Sequence, residues 1–262
     1  MKKIAVFVIA GACTLLAAET PQARGKRVLD ACVQALGGQR FLTLQNKVET
    51  GRAYSFYREQ LSGLSIARIA TRYLDGVEDP GRNLAVQERE DFSKKFDYGV
   101  LFLAKDAYEI TWRGARPITE ERFDRYRQTT LNDIFYIIRE RLHEPGLILE
   151  SRGSDVKDNM PVDIVDISDT QDRTVTVYIH QSTHLPTQQM THRIDRVTKD
   201  RIDEVTLYSK YRDVDGVQIP FAVHRERNGE KTYEMYSDNV EINKKLPDKW
   251  FSLSGLQKLK PE

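Results

Sequence analysis

The sequence predicts an α+β protein that is mostly β: one strongly curved antiparallel sheet, a half-barrel, wrapped around helices. Three observations lead there. Short strand-like runs alternate with turn signals from Lys47 to Asn243. One amphipathic helical stretch precedes these runs and a second interrupts them. Antiparallel strands with a single apolar face must also cover that face or close on themselves. The 262 residues are 40% hydrophobic and 30% charged, too polar for a membrane bundle and too apolar for disorder.

The N-terminus reads as a signal peptide. Lys2 and Lys3 form a positive region, followed by a largely apolar run from Ile4 to Ala18. That run is short for a spanning helix of about 20 residues and suits a signal core. Cleavage after Ala17 or Ala18 is expected, giving a periplasmic protein with residues 1–18 as signal and 19–262 as one domain. Ala10-Gly11-Ala12-Cys13 also resembles a bacterial lipobox, so anchoring through a lipidated Cys13 is the alternative. Lys plus Arg number 40 against 39 Asp plus Glu. This balance lacks the basic footprint of a nucleic-acid binder.

The first helix is predicted over Gly25–Leu36, where Val28, Leu29, Cys32, Ala35 and Leu36 share one face. Gly37-Gly38 ends it, since glycine takes the left-handed conformation cheaply. Strands are expected at Lys47–Glu59, Leu64–Leu74, Leu84–Phe92, Tyr98–Ala104 and Ala107–Arg113, with hairpin connections at Asp75-Gly76 and Lys105-Asp106. One helix is predicted from Thr119 to Leu142, striped by Phe123, Tyr126, Leu131, Ile134, Phe135, Ile138 and Leu142. A meander follows: Leu147–Arg152, Val162–Ile167, Thr174–His180, Thr187–Arg196, Asp203–Arg212, Val217–Arg227 and Lys231–Asn243. Asp215-Gly216 and Asn228-Gly229 are strong two-residue hairpin signals. Val175, Val177 and Ile179 alternate with Thr174, Thr176 and Tyr178 as a half-buried strand does.

The stretch from Tyr208 to Phe251 resembles the C-terminal half of LolA/LolB-like proteins, the outer-membrane lipoprotein-sorting and carrier proteins. The matching features are Asp215-Gly216, Ile219-Pro220, Asn228-Gly229 and the closing Asn243…Leu246-Pro247-Asp248…Phe251. Thr183-His184-Leu185-Pro186 is similar to the Thr-x-Leu-Pro step into a strand of that family. Ala35-Leu36-Gly37-Gly38 matches the end of its opening helix. The resemblance implies the half-barrel and a carrier role, and transfers no individual ligand residue.

No pattern for catalysis stands out. His180, His184 and His192 lie close in sequence but flank a turn, and no HExxH or CxxC occurs. Asp213-Val214-Asp215-Gly216 lacks the later ligands of a calcium loop. GxSxG and glycine-rich phosphate loops are absent. Cys32 sits on an apolar stripe and reads as a small buried hydrophobe. No cofactor, no metal and no enzyme activity are expected. The candidate ligand-binding residues are apolar: Tyr54, Phe56, Phe102, Trp112, Phe135, Tyr136, Ile138 and Leu207, taken to line a cavity for an acyl chain. The helix from Thr119 to Leu142 is expected to screen that cavity and move aside. The expected partner is a lipid or acylated lipoprotein bound to a monomer in a lipoprotein-sorting role. Alternatives are a module binding another envelope protein, or a carboxylate-dependent hydrolase.

Overall fold

The computed structural model describes residues 18–194 and 198–253. Met1–Ala17, most of the expected signal peptide, lie outside the described residues. Helix α1 (Pro21–Leu36) starts four residues before the periodicity suggested. Thr20 caps it, its hydroxyl accepting from the Ala23 amide at 3.1 Å, and Pro21 occupies the first turn, where no amide is missed. Gly37, at φ 125°, ends it. The short α2 (Gln39–Leu42) follows.

Thirteen strands form one antiparallel sheet: β1 (Asn46–Tyr57), β2 (Gln60–Tyr73), β3 (Val86–Phe92), β4 (Tyr98–Phe102), β5 (Ala107–Thr111), β6 (Gly114–Pro117), β7 (Ile148–Lys157), β8 (Met160–Ser168), β9 (Thr174–His180), β10 (Pro186–Ile194), β11 (Arg201–Val214), β12 (Val217–Arg227) and β13 (Glu230–Ile242). The sheet order is β6-β5-β4-β3-β2-β1-β13-β12-β11-β10-β9-β8-β7. Two meanders thus run outward from the β1–β13 pair, and β6 and β7 are the opposite edges. The chain between them, residues 118–147, must cross the sheet to connect them.

That crossing is not one helix. It divides into α3 (Glu120–Leu131), the short α4 (Ile134–Tyr136) and a π turn at Ile137–Arg141. Asp133 causes the break. Its carboxylate accepts from the Phe135 and Tyr136 amides at 2.9 and 3.1 Å, so it starts a new helix where the old one would have continued.

The main core takes in the second half of the crossing. Val28, Leu29, Cys32 and Leu36 of α1 pack with Ile134, Ile137 and Ile138, and with Val165, Val177, Ile179, Ile219 and Phe221 of the sheet. At the far side, Phe123 and Tyr126 of α3 pack on Val100, Phe102 and Ala107. One chain segment touching strands from both flanks means that the sheet curls around it. On the outer face, Trp250 and Phe251 of the closing 3-10 turn cover Val48, Ala70, Leu101 and Ile110.

Asp215-Gly216 and Asn228-Gly229 are two-residue hairpin turns, and Lys105-Asp106 connects β4 to β5. Asp75-Gly76 is not a hairpin; it lies in the long loop 74–85. That loop reaches the crossing instead, where the Ala85 amide donates to the Tyr136 hydroxyl at 2.9 Å. Two hairpins escaped the sequence reading, at Arg58-Glu59 and Asp158-Asn159. All four residues adopt positive φ, between 48° and 61°. Arg-Glu carries no turn signal, because neither residue favours that conformation. The strand β6 was likewise missed, since Gly114 to Pro117 is too short and proline-bounded to show alternation.

Candidate functional site

Register identifies the inner face of the sheet. Tyr208 pairs with Val223, Val223 with Met235, Met235 with Ala53 and Ala53 with Ser65. The same face carries Ala67 opposite Phe92, Ile69 opposite Glu90 and Thr71 opposite Glu88. At its centre, Ala53, Ala67 and Met235 form a buried cluster flanked by Ile69, Phe92, Val223 and Tyr233. Every member is a strand residue. The clusters on either side include helix residues, and this one has no helix laid on it.

Ionisable groups surround this apolar floor. Glu88, Glu90 and Tyr233 are half-buried and Arg225 is exposed, although all sit on the inner face. A face filled by helix would have left them dry, so the concave face stays open to solvent beside α3. The far wall of this open chamber is the stacked pair Phe102 and Tyr126, with ring centroids 3.6 Å apart. Burial, and then repulsion from Glu88, push the Glu90 carboxyl up to about 8. Burial also raises Glu88, against the hydrogen bond from Thr71 at 3.0 Å. Beneath the chamber, the Tyr208 hydroxyl lies 2.9 Å from Gln189 Oε1 and 3.2 Å from Asp133 Oδ2. The same Gln189 oxygen accepts from the Ile134 amide at 2.8 Å, tying the start of α4 to the sheet.

The two parts of the crossing are held unequally. Arg141 in the π turn, 2% exposed, donates to Glu144 at 2.7 Å, to Asp169 at 2.6 Å and to the Leu131 carbonyl at 2.6 Å. Asp169 also accepts from Arg173, which reaches the Gly81 carbonyl in the loop 74–85. Burial opposes the Asp169 charge, yet these arginine hydrogen bonds hold its carboxyl below the usual range. In contrast, α3 buries only Leu131 completely. The π turn is clamped and α3 rests on the sheet by a few rings.

No protein-family model matches the sequence, and no curated protein matches it either. Solved structures do match. A DUF1329 family protein from Desulfovibrio piger aligns with TM-score 0.60 at 12% identity, over 91% of this chain and 100% of that one. A domain assigned to outer-membrane lipoprotein sorting, from Vibrio parahaemolyticus, gives 0.59 at 10% identity over 89% and 100%. A LolA superfamily protein from Nitrosomonas europaea gives 0.50 at 11% identity over 85% and 96%. The fold is LolA-like.

In this LolA-like frame the eight residues expected to line a cavity separate. Phe102, Phe135, Tyr136 and Ile138 lie on the inner side. Of these, Tyr136 and Ile138 are fully enclosed, and Phe135 is wedged edge-on against Phe41 and Tyr208. The structure does not bring the other four to the interior. Tyr54 and Leu207 neighbour Ala53 and Tyr208 in sequence and therefore point to the opposite face. Tyr54 meets Tyr236 there, at 5.9 Å. Phe56 packs under Lys231 beside an open cleft of about 500 Å³ between the β1–β2 and β12–β13 tips. Trp112, 64% exposed, sits in the β5–β6 turn. Aromatic character alone cannot choose a face; only strand phase does, and that phase runs unbroken along β1, because the extra residues at its bulges lie in β13 and β2.

The residues that sequence reasoning missed are the polar ones, Glu88, Glu90 and Arg225. Their signal was legible: Glu88, Glu90 and Phe92 share a face, as do Val223 and Arg225. Alternation was used only to find apolar positions. Cys32 is buried in the main core, and burial pushes its thiol far up, away from reactivity. His224 lies on the outer face, between Glu226 at 2.9 Å and Glu234 at 3.1 Å. Among the described residues no three His, Cys, Asp or Glu side chains converge as a metal site. Among them, too, no helix is long and apolar enough to cross a membrane.

Proposed function

We propose that this is an exported envelope protein that carries an acyl chain of a lipid or lipoprotein on the floor of the inner chamber, with α3 as the movable cover. The observation that carries the reading is the helix-free cluster of Ala53, Ala67, Met235, Val223 and Ile69 on an otherwise helix-covered face. Ala53 and Ala67 keep the floor low, and Phe92, Tyr233 and the Phe102–Tyr126 stack supply apolar walls. Each methylene buried contributes roughly 0.8 kcal/mol, so even a half-buried chain of about ten carbons gains roughly 4 kcal/mol gross.

The cover differs from the whole helix expected from the sequence. Moving the π turn would expose Ile137 and Ile138 and break the Arg141 ion pairs, whereas moving α3 separates Phe123, Tyr126 and Leu131 from their neighbours and breaks the hydrogen bond from Arg141 to the Leu131 carbonyl and the surface contacts of Arg122 and Arg127. The similarity to a domain assigned to outer-membrane lipoprotein sorting and to a LolA superfamily protein supports a carrier role and a periplasmic location.

The test is saturable binding of a fluorescent fatty-acid probe. Val223→Trp, which fills the floor, should weaken binding by at least about tenfold, about 1.4 kcal/mol. Leu207→Trp, on the outer face of the neighbouring strand, should leave it unchanged. Absence of saturable binding to the wild type would end the carrier reading and favour a module that binds another envelope protein. N-terminal sequencing of the protein from its native envelope should begin at Ala18 or Glu19; a lipidated Cys13 would instead make it an anchored form.

A further inference from the structure

Arg225 brings a positive charge to the chamber. It lies on the inner face, paired in register with Tyr233 and Thr206. Its guanidinium stands 5.4 Å from the centroid of the Tyr233 ring. Among the described residues it forms no ion pair and its side chain donates no hydrogen bond. Although the residue is exposed, the protein crowded around it opposes its charge, while the fields of Tyr233, Tyr208, Asp133 and Glu90 favour it.

The neighbouring acids are already committed. Asp133 caps α4. Glu88 accepts from Thr71. Glu49 is paired with Lys47 at 2.9 Å. Glu90 has no partner, and its raised carboxyl is mostly protonated near neutral pH. An uncharged acid cannot neutralise an arginine. It can donate its own proton to an oxyanion that sits between them.

We propose that the chamber takes an amphiphile with an anionic oxygen headgroup, a carboxylate or phosphate, and that Arg225 binds this headgroup at the edge of the apolar floor. The inference rests on the carrier reading and narrows it. Arginine's planar fork matches both headgroups with two parallel hydrogen bonds, which a lone ammonium cannot do. Val223, two residues before Arg225 on the same face, belongs to the floor. A single molecule can therefore lay its chain on Val223 and its head on Arg225.

Displacement of the fluorescent probe by laurate, dodecyl phosphate, uncharged dodecan-1-ol and inorganic phosphate tests this. The wild type should bind laurate or dodecyl phosphate at least about tenfold tighter than dodecan-1-ol, and inorganic phosphate should not displace the probe. Arg225→Gln should abolish that preference and leave dodecan-1-ol affinity within about twofold. Arg225→Lys, which keeps the charge but loses the fork, should retain part of it and provides the comparison if Arg225→Gln fails to fold. If dodecan-1-ol competes as well as laurate in the wild type, or both lose equally in the variants, the headgroup proposal falls and the carrier reading stands. If no amphiphile binds, both fall. Displacement by inorganic phosphate alone would mean a free-anion site and overturn the amphiphile.

Discussion

Gly51 lies at the bulge that joins β1 to β13, and a Cβ there would sit 2.1 Å from the Tyr236 carbonyl oxygen. Backbone cannot yield as a side-chain tip does. Gly51→Ala should cost about 1–3 kcal/mol, the range for overpacking, read from the denaturant midpoint. Glu90 makes a different prediction at the same scale. Its folded pKa of about 8 lies above the ordinary value of 4.5. The folded chain therefore holds a proton that the unfolded chain releases, and this group's contribution to stability falls as pH rises from about 4.5 through about 8. Glu88 raises it further, while Arg225 and Arg122 oppose the rise. Glu90→Gln should leave stability at pH 5 nearly unchanged and increase it at pH 9. Equal effects at both values would mean that the carboxyl is not buried as described. Single residues were legible where alternation and burial coincide, as at Val175, Val177 and Ile179, or Cys32. They were illegible where aromatic character was weighed apart from strand phase, as at Tyr54 beside the inward Ala53.

Among the elements, the crossing between β6 and β7 carries the contrast that matters. Arg141 is enclosed with Glu144 and Asp169, and removing one partner of such a buried group strands the others. Arg141→Ala should cost about 3–5 kcal/mol. Native-state hydrogen exchange should find the amides of α3 exchanging well before those of Ile137–Arg141, because few buried contacts hold α3 down. Equal protection of the two segments would rule out α3 as a cover. The pattern of Phe123 to Leu142 gave the helical character correctly and the continuity wrongly. Asn132-Asp133 before an apolar run is a helix stop and start, but a strong stripe on both sides concealed it. Hairpins with Gly were read from the chain; Arg58-Glu59 was not, because its positive φ is imposed by the long strands on either side and not by local preference.

Across the whole molecule, the sheet, its antiparallel sense and its helical filling follow from turn spacing and strand phase. The order of strands does not, since nothing local states that the first strand lies beside the last. β1 pairs with β13 along nine register positions from Lys47 to Ser55. A chain ending before Glu230 would leave β1 and β12 with open edges in the middle of the sheet. Such a fragment should show no cooperative unfolding transition by circular dichroism; a sharp transition would mean that one meander folds alone.

The β1–β13 pair also sets a timetable. Contacts between the two ends of a sequence close the largest loop the chain can make, and such topologies fold slowly. The first meander emerges with one edge of its inner strand unpartnered and must wait for nearly the last strand before the sheet is continuous. A chain so constructed stays pliable until it is almost complete and leaves exposed strand edges that a chaperone can shield.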